Sequence, residues 1–192
     1  MLDTKNVLNW LNDFANEIQK NKTYLTDLDT PIGDGDHGNN MNRGVIAMQA
    51  ELAKALPNSV SEIFRITAMA LMGNIGGASG PLYGSAFMEM AKAAKETDEL
   101  PLIIQAGLNG ILKRGKAACG EKTMVDVWTP VCESLLSKQL TQQIIDIAVE
   151  STKSMIATKG RASYLGERSI GHLDPGSVSS GYLFSSMLRN IQ

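Results

Sequence analysis

The chain contains 192 residues, of which 43% are hydrophobic and 20% are charged, as expected for a globular protein with a substantial core. Its formal net charge of −2 argues against the basic face of a nucleic-acid-binding protein, so no nucleic-acid partner is expected. The apolar runs are far shorter than the roughly 20 residues of a membrane-spanning helix, so we expect no membrane association.

The N-terminus and the cysteines indicate the compartment. No apolar signal segment follows residues 1–5. The two cysteines, Cys119 and Cys132, lack a CxxC or His/Cys ligand spacing, and we interpret them as reduced core residues. The sequence therefore predicts a cytoplasmic protein.

Helical periodicity continues through almost the whole chain, and strand-like alternation bounded by turns is missing. We predict an all-α barrel or bundle of eight helices that forms a single domain over residues 1–192. The predicted helices begin near Thr4 and then span Asn39–Leu56, Ser59 or Ser61 to Gly73, Gly80–Lys95, Asp98–Ala118, Thr123 onward with a kink at Pro130, Thr141–Thr158 followed by Gly160, and Ser179–Asn190.

Four connections between these helices are rich in glycine and small polar residues. They are Asn21–Gly38, Gly73–Ser79, Cys119–Lys122 and Lys159–Val178. These are the first, third, fifth and seventh connections, and alternate connections of an up-and-down bundle lie at the same end. We therefore expect them to converge on a site at one end of the bundle.

The first of these connections contains three aspartates, Asp29, Asp34 and Asp36, separated by glycines and by no basic residue. Crowded carboxylates repel each other, and a hard divalent cation such as Mg²⁺ relieves this repulsion. The alternative interpretation is an acidic turn whose side chains cap nearby backbone groups. A calcium-binding EF-hand is excluded because its twelfth position would be Val45.

Two segments could bind an anion. His37-Gly38-Asn39-Asn40 begins the second predicted helix, where free backbone N–H groups point outward, although the asparagines could simply cap the helix. The segment Gly73–Gly80 has four glycines and ends at a possible cap, Ser79, or is only a flexible turn. It follows no strand and lacks the lysine of a P-loop, so P-loop and Rossmann interpretations fail.

The later connections add further candidates. Lys122 could balance the acids or be solvated, and Met124 could line an apolar wall or the core. Arg161 and Arg168 could clamp a phosphate or lie in solvent, in a segment long enough for a lid. Metal and phosphate together favour phosphoryl transfer, in which positioning and charge neutralisation supply most of the catalysis.

Four runs together carry a resemblance to a known family: GDGDHGNNM, GNIGGASGPLYG, GEKTMVDVWTP and GRASYLGERSIGHLDPG. In order and spacing they resemble the nucleotide-binding L subunit of dihydroxyacetone kinase, over essentially the whole chain. This resemblance implies a barrel of eight antiparallel amphipathic helices with the nucleotide site at one end. It also implies that Asp29, Asp34 and Asp36 hold two Mg²⁺ ions against the phosphates of ADP or ATP.

The resemblance further implies a metal–nucleotide centre without a protein nucleophile, formed by the three aspartates and Arg161. The nucleotide-binding residues that it implies are His37, Gly38, Asn39, Asn40, Ala78, Ser79, Gly120, Met124, Thr129, Arg161, Asp174, Pro175 and Gly176. The family often has Thr in place of His37, which argues against an obligatory phosphohistidine at that position.

The length of the chain favours the branch of the family in which this domain is a separate subunit. There, ADP stays bound, a phosphohistidine carrier (M subunit) of the phosphotransferase system rephosphorylates it, and the phosphoryl group passes to dihydroxyacetone on the K subunit. A transcription regulator and a second copy in a homodimer are further candidate partners. Two alternatives remain: a kinase for a carboxylate acceptor, as in fatty-acid kinases, and a nucleotide-dependent regulatory module.

Overall fold

Amphipathic helices make up the computed structural model, which describes residues 2–191. Within that range there are nine α-helices, two 3₁₀ segments at Thr152–Ser154 and Arg161–Ser169, and no strand. The α-helices are α1 (Thr4–Lys20), α2 (Lys22–Asp29), α3 (His37–Ala55), α4 (Val60–Asn74), α5 (Ser79–Ala93), α6 (Leu100–Gly115), α7 (Val125–Leu136), α8 (Gln142–Ser151) and α9 (Pro175–Asn190).

Eight of these helices form a closed ring. Each packs against the next in the order α1, α3, α4, α5, α6, α7, α8 and α9, and α9 packs against α1. The first residues of α3, α5, α7 and α9 line one cavity together with the last turn of α6, so the ring neighbours from α5 to α7 alternate in direction. The predicted all-α barrel is confirmed, but the predicted total of eight helices is wrong, because the described residues contain nine α-helices.

The remaining helix, α2, lies within the predicted connection Asn21–Gly38 and packs against α3 and α9. Only Leu25 among its eight residues is fully buried. Because α2 buries so little, it shows no clear apolar periodicity in the sequence. Its last residue is Asp29, and α2 therefore positions the first aspartate of the acidic segment.

The centre of the ring is one apolar cluster with aromatic side chains at its core. Trp10 meets Phe64 edge-on with ring centroids 5.9 Å apart, and Trp128 meets Phe184 in the same way at 4.8 Å. The buried Trp10 indole also donates to the Leu183 carbonyl at 2.8 Å. These contacts fix α1, α4, α7 and α9 relative to one another.

Several predicted helix bounds were wrong. The fifth predicted helix, α6, ends at Gly115 and not at Ala118, because Lys116 takes a left-handed conformation. The seventh predicted helix, α8, ends at Ser151 and not at Thr158, because the Thr152 hydroxyl bonds the Val149 carbonyl at 2.8 Å and competes with the helix. The sixth, α7, begins at Val125, after Lys122 has taken a left-handed conformation. The last, α9, begins at Pro175 because Asp174 caps it.

Two further expectations can be compared with the structure. Cys132 is buried as predicted, whereas Cys119 is exposed because it lies in the surface loop between α6 and α7. Within the described residues, every helix is too short or too polar to cross a bilayer.

The close packing of α2 on α3 predicts a specific sensitivity at Gly38. A Cβ there would collide with the Lys22 carbonyl, so Gly38→Ala should destabilise the protein by about 1–3 kcal/mol. Gly73 in α4 has open space around its Cβ position, so Gly73→Ala should be neutral or stabilising. Urea unfolding of both variants measures the difference, and equal stabilities would contradict this account of the packing.

Candidate functional site

A cavity of about 590 Å³ opens at the end of the barrel where the four glycine-rich connections meet. Its wall contains residues from all four connections: the three aspartates and residues 76–79, 122–125, 159–162 and 174–176. The convergence predicted from the alternation of the connections is therefore present. The volume falls in the usual range for a small-molecule site.

The three aspartates meet on one side of this cavity. One carboxylate oxygen from each of Asp29, Asp34 and Asp36 lies within 4.8 Å of the others. The second oxygen of Asp29 accepts hydrogen bonds from the backbone N–H groups of Asp36 at 2.9 Å and His37 at 3.1 Å. Asp29 therefore joins the end of α2 to the start of α3 and fixes the turn that carries the other two acids.

The backbone of this turn requires glycine at two positions. A Cβ at residue 33 would overlap the Asp29 carboxylate, and Gly35 has a φ of +69°. Other residues rarely adopt such a backbone conformation. The glycines of the acidic segment therefore allow the carboxylates to come close together.

The charge of the acidic cluster is only weakly balanced by the protein. Within residues 2–191 the one salt bridge to these acids joins Arg161 to Asp34, and the Arg161 side chain is 60% exposed. Exposed ion pairs contribute little to stability, so this pair can open readily. Three carboxylates with hard oxygen donors suit Mg²⁺ or a similar cation, and they do not suit a soft metal.

The His37 imidazole lies directly behind the acids and is only 7% exposed. Its Nδ1 lies 3.3 Å from the Ser79 hydroxyl, and its Nε2 lies 3.0 Å from the Ser179 hydroxyl. Burial lowers the pKa of His37 to about 4, although Asp29 and Asp36 act in the opposite direction. The ring is therefore neutral at physiological pH and has a hydroxyl at each nitrogen.

The second glycine-rich connection forms the adjacent wall. Ser79 is the first residue of α5, so the free N–H groups of that helix start at the cavity. Asn40 of α3 also lines the cavity, and its side-chain oxygen accepts from Arg43 at 2.9 Å. The start of α5 therefore supplies backbone donors beside the carboxylates, an arrangement suited to phosphate, whereas the N–H groups of Asp36 and His37 at the start of α3 are already bonded to Asp29.

Lys122 anchors the opposite wall. It is 2% exposed, and its ammonium group donates to the carbonyls of Thr152 at 2.5 Å, Met155 at 3.3 Å and His172. Burial lowers its pKa, although Asp174 and Asp126 act in the opposite direction. Lys122 is therefore neither a solvated charge nor a direct partner of the acidic cluster; it holds both ends of the segment that carries Arg161.

Two acidic side chains, Asp126 and Asp174, accept hydrogen bonds from the backbone of this wall. Asp126 is 3% exposed and accepts the backbone N–H groups of Thr123 at 2.7 Å and of Gly120. Asp174 caps α9 by accepting from the Ser177 N–H at 2.7 Å, and burial raises its pKa to about 6. Met124 lies between them with 4% exposure and gives the wall an apolar surface.

Most of the residues implied by the resemblance line the cavity: Asp29, Asp34, Asp36, His37, Asn40, Ala78, Ser79, Met124, Arg161, Asp174, Pro175 and Gly176. Four of them lie outside its lining. Gly38 faces α2, Asn39 is exposed, Gly120 is bonded to Asp126, and Thr129 lies one turn into α7.

Sequence reasoning missed Asp126 and misread Lys122. A signal was present for Asp126, because it is a carboxylate inside the apolar run Val125–Trp128, and a charge buried in such a run needs hydrogen-bond partners. No pattern in the sequence indicated that Lys122 would donate to three carbonyl groups of residues 152–172.

Comparison with known proteins identifies the family of this chain. The family model described as the DAK2 domain matches residues 31–189. The chain belongs to the DAK2 domain family. This DAK2 domain is 50% identical over 186 residues to the PEP-dependent dihydroxyacetone kinase 1, ADP-binding subunit DhaL, of Listeria innocua, covering 95% of this chain and 94% of that one.

Other relatives agree. This DAK2 domain is 52% identical over 188 residues to the PTS-dependent dihydroxyacetone kinase, ADP-binding subunit DhaL, of Lactococcus lactis, with 98% of both chains covered. It also superimposes on the C. freundii dihydroxyacetone kinase crystallised with AMP-PNP and Mg²⁺, with a TM-score of 0.77 and 21% identity. That match covers 94% of this chain and 33% of the other, and it establishes the fold.

The role of Lys122 in this DAK2 domain can be tested by Lys122→Met. The variant leaves three carbonyls without their charged donor, so the free energy of unfolding should fall by about 1.5–3 kcal/mol. Backbone amides of residues 152–172 should also exchange hydrogen faster. Lys153→Met removes an exposed lysine and serves as control. Unchanged exchange in Lys122→Met would show that Lys122 does not hold this segment.

The raised pKa of Asp174 predicts a pH effect on stability. Its pKa rises from 3.8 to about 6, so the folded protein binds this proton more tightly than the unfolded chain does. The contribution of Asp174 to the free energy of unfolding therefore falls as the pH rises from about 4 to about 6. Because Asn still caps a helix but cannot ionise, Asp174→Asn should gain stability relative to wild type across this window.

Urea unfolding of wild type and Asp174→Asn across this pH range measures that difference. The exposed Asp98, changed to Asn, provides the matched control. A stability difference that stays constant with pH would mean that Asp174 titrates alike in the folded and unfolded chains.

Proposed function

We propose that this chain is the ADP-binding subunit of a dihydroxyacetone kinase that depends on the phosphotransferase system. ADP stays bound as a cofactor, a phosphohistidine carrier rephosphorylates it, and the phosphoryl group passes to dihydroxyacetone on a separate subunit. One observation carries this proposal: three carboxylates face the starts of two helices across one cavity. Relatives that share about half of its residues over nearly the full length support it.

The side chains divide into roles by their chemistry. Asp29, Asp34 and Asp36 would hold Mg²⁺, for which we infer two ions, and bound Mg²⁺ neutralises phosphate oxygens. The free N–H groups at the start of α5, with the Ser79 hydroxyl, would bind the phosphates themselves. Arg161 could exchange its exposed partner Asp34 for a phosphate oxygen, since a guanidinium matches both groups.

The apolar part of the cavity suits the nucleoside. Leu82, Ile111, Met124 and Pro175 supply apolar side chains to its lining. A purine could lie against these side chains while its phosphates extend toward the carboxylates. The protein thereby orients the terminal phosphate toward the open mouth, where positioning and charge neutralisation are what phosphoryl transfer requires.

Two partners would use this mouth in turn, the phosphohistidine carrier and the subunit that holds dihydroxyacetone. The protein would meet both in the cytoplasm. The relatives do not favour the carboxylate acceptor of fatty-acid kinases or the purely regulatory module that the sequence left open. They are named as subunits of a dihydroxyacetone kinase.

Reconstitution tests the proposed reaction directly. The purified chain is mixed with a dihydroxyacetone-binding subunit, a phosphorylated carrier, Mg²⁺ and ADP in an amount below that of dihydroxyacetone. Formation of dihydroxyacetone phosphate well beyond the amount of ADP is expected, because ADP recycles as a cofactor. Product that never exceeds the added nucleotide, or no product at all, would contradict the proposal.

The metal role of the acids is tested by Asp34→Asn. The amide is nearly isosteric but lacks the charge that a hard cation requires, so ADP affinity in the presence of Mg²⁺ should fall by at least 100-fold, an estimate of about 3 kcal/mol for a lost charged contact. Asp27→Asn changes an exposed acid of α2 and should bind like wild type. Calorimetric titration gives the affinities, and near-equal values for the two variants would remove Asp34 from the metal site.

A further inference from the structure

A chain of hydrogen bonds runs from the cavity wall into the core of the barrel. Ser79 Oγ lies 3.3 Å from His37 Nδ1, and His37 Nε2 lies 3.0 Å from Ser179 Oγ. Ser179 Oγ lies 2.9 Å from the Tyr83 hydroxyl, which lies 3.1 Å from Ser180 Oγ. The chain ends at Trp128, whose Nε1 is 3.1 Å from Ser180 Oγ.

This series of hydrogen bonds lies in the buried interior of the barrel. Tyr83, Trp128, Ser179 and Ser180 are all fully buried. A buried hydroxyl without a partner destabilises the fold, so each of these groups depends on its neighbours in this series of hydrogen bonds. The members come from α3, α5, α7 and α9, and the chain therefore crosses the barrel from wall to wall.

The inner end of the chain fixes its direction. An indole N–H can only donate, so Trp128 donates to Ser180. Within the described residues the Ser180 hydroxyl has one other partner, Tyr83, and its proton therefore goes to the Tyr83 oxygen. Tyr83 must then donate its own proton to Ser179. Burial raises the pKa of Tyr83 to about 12, so this proton is always present.

The chain can branch only at Ser179. Its hydroxyl proton can go to His37 Nε2 at 3.0 Å or to the Gly176 carbonyl at 3.1 Å. Helical geometry already directs the Ser180 N–H to that carbonyl, whereas the imidazole nitrogen has no other donor in the described residues. When the Ser179 proton goes to His37, Nε2 is the acceptor and the neutral ring carries its hydrogen on Nδ1.

We propose that Trp128, Ser180, Tyr83 and Ser179 are positioning residues that hold His37 in its Nδ1–H tautomer, so that Ser79 receives this N–H and directs its own hydroxyl proton into the cavity. With the opposite direction, Ser79 would donate to His37 and present only lone pairs to a ligand. An anion needs a donor at this position. The direction of the chain thus decides whether Ser79 can bind a phosphate oxygen, which rests on the proposed function.

Histidine tautomers provide a readout that a purely structural role would not change. Long-range ¹H–¹⁵N NMR spectra of the ¹⁵N-histidine-labelled chain at neutral pH distinguish Nδ1–H from Nε2–H. The protein has two histidines, so His172 is an internal reference. We expect His37 to populate the Nδ1–H form in wild type and a mixture of tautomers in Tyr83→Phe, which removes the hydroxyl but keeps the ring.

Two more measurements complete the experiment. Calorimetric titration with ADP and Mg²⁺ should show an affinity loss of about tenfold for Tyr83→Phe, the size expected for one misdirected hydrogen bond. Tyr182→Phe, the same change in a half-buried tyrosine outside the chain, should match wild type in both readouts. Ser180→Ala breaks the same chain and replaces Tyr83→Phe if that variant does not fold.

The outcomes separate this inference from the proposed function. A wild-type His37 ring that is protonated at Nε2 overturns the proposal, as does a Tyr83→Phe variant with unchanged tautomer or unchanged ADP affinity. If wild type shows the Nδ1–H form but does not bind ADP, the proposed function fails while the direction of the chain is upheld.

Discussion

The structure of the cavity depends on one carboxylate. Asp29 ends α2 and accepts hydrogen bonds from the N–H groups of Asp36, the last residue of the acidic turn, and of His37, the first residue of α3. This contact folds the glycine-rich turn back on itself. The same contact brings Asp34 and Asp36 within reach of Asp29, in the wall of the cavity at which α5 also begins. The repulsion among the acids is thus maintained by the fold, and a cation would relieve it.

In the opposite wall of the cavity, the charged side chains bond to groups of the protein itself. Lys122 and Asp126 are buried and bonded to backbone groups, and Asp174 caps α9. These side chains hold the irregular loops in place where helical hydrogen bonds are absent. The cavity therefore lies between a group of charges left open for a ligand and a group that the protein uses for its own structure. This division explains why Arg161, carried by the second group, can reach Asp34 in the first.

Sequence patterns predicted the class of fold and the meeting of the four connections, because helical period and glycine content are local signals. They predicted the acidic cluster for the same reason, since Asp34 and Asp36 are two residues apart. They failed for α2, which has a single fully buried residue, and for Lys122, whose carbonyl partners lie 30 to 50 residues away. The hydrogen bonds that link Ser79 to Trp128 were not predicted, because they join side chains of four helices that are far apart in the sequence.

The most direct test of whether the three carboxylates hold metal beside a diphosphate is a crystal structure with ADP and Mn²⁺, in which anomalous scattering locates the metal. We expect metal peaks within ligand distance of Asp29, Asp34 and Asp36. The diphosphate should lie against the starts of α3 and α5, and Arg161 should be turned away from Asp34. Metal bound elsewhere, or the three carboxylates spread into solvent with the nucleotide outside the cavity, would contradict it.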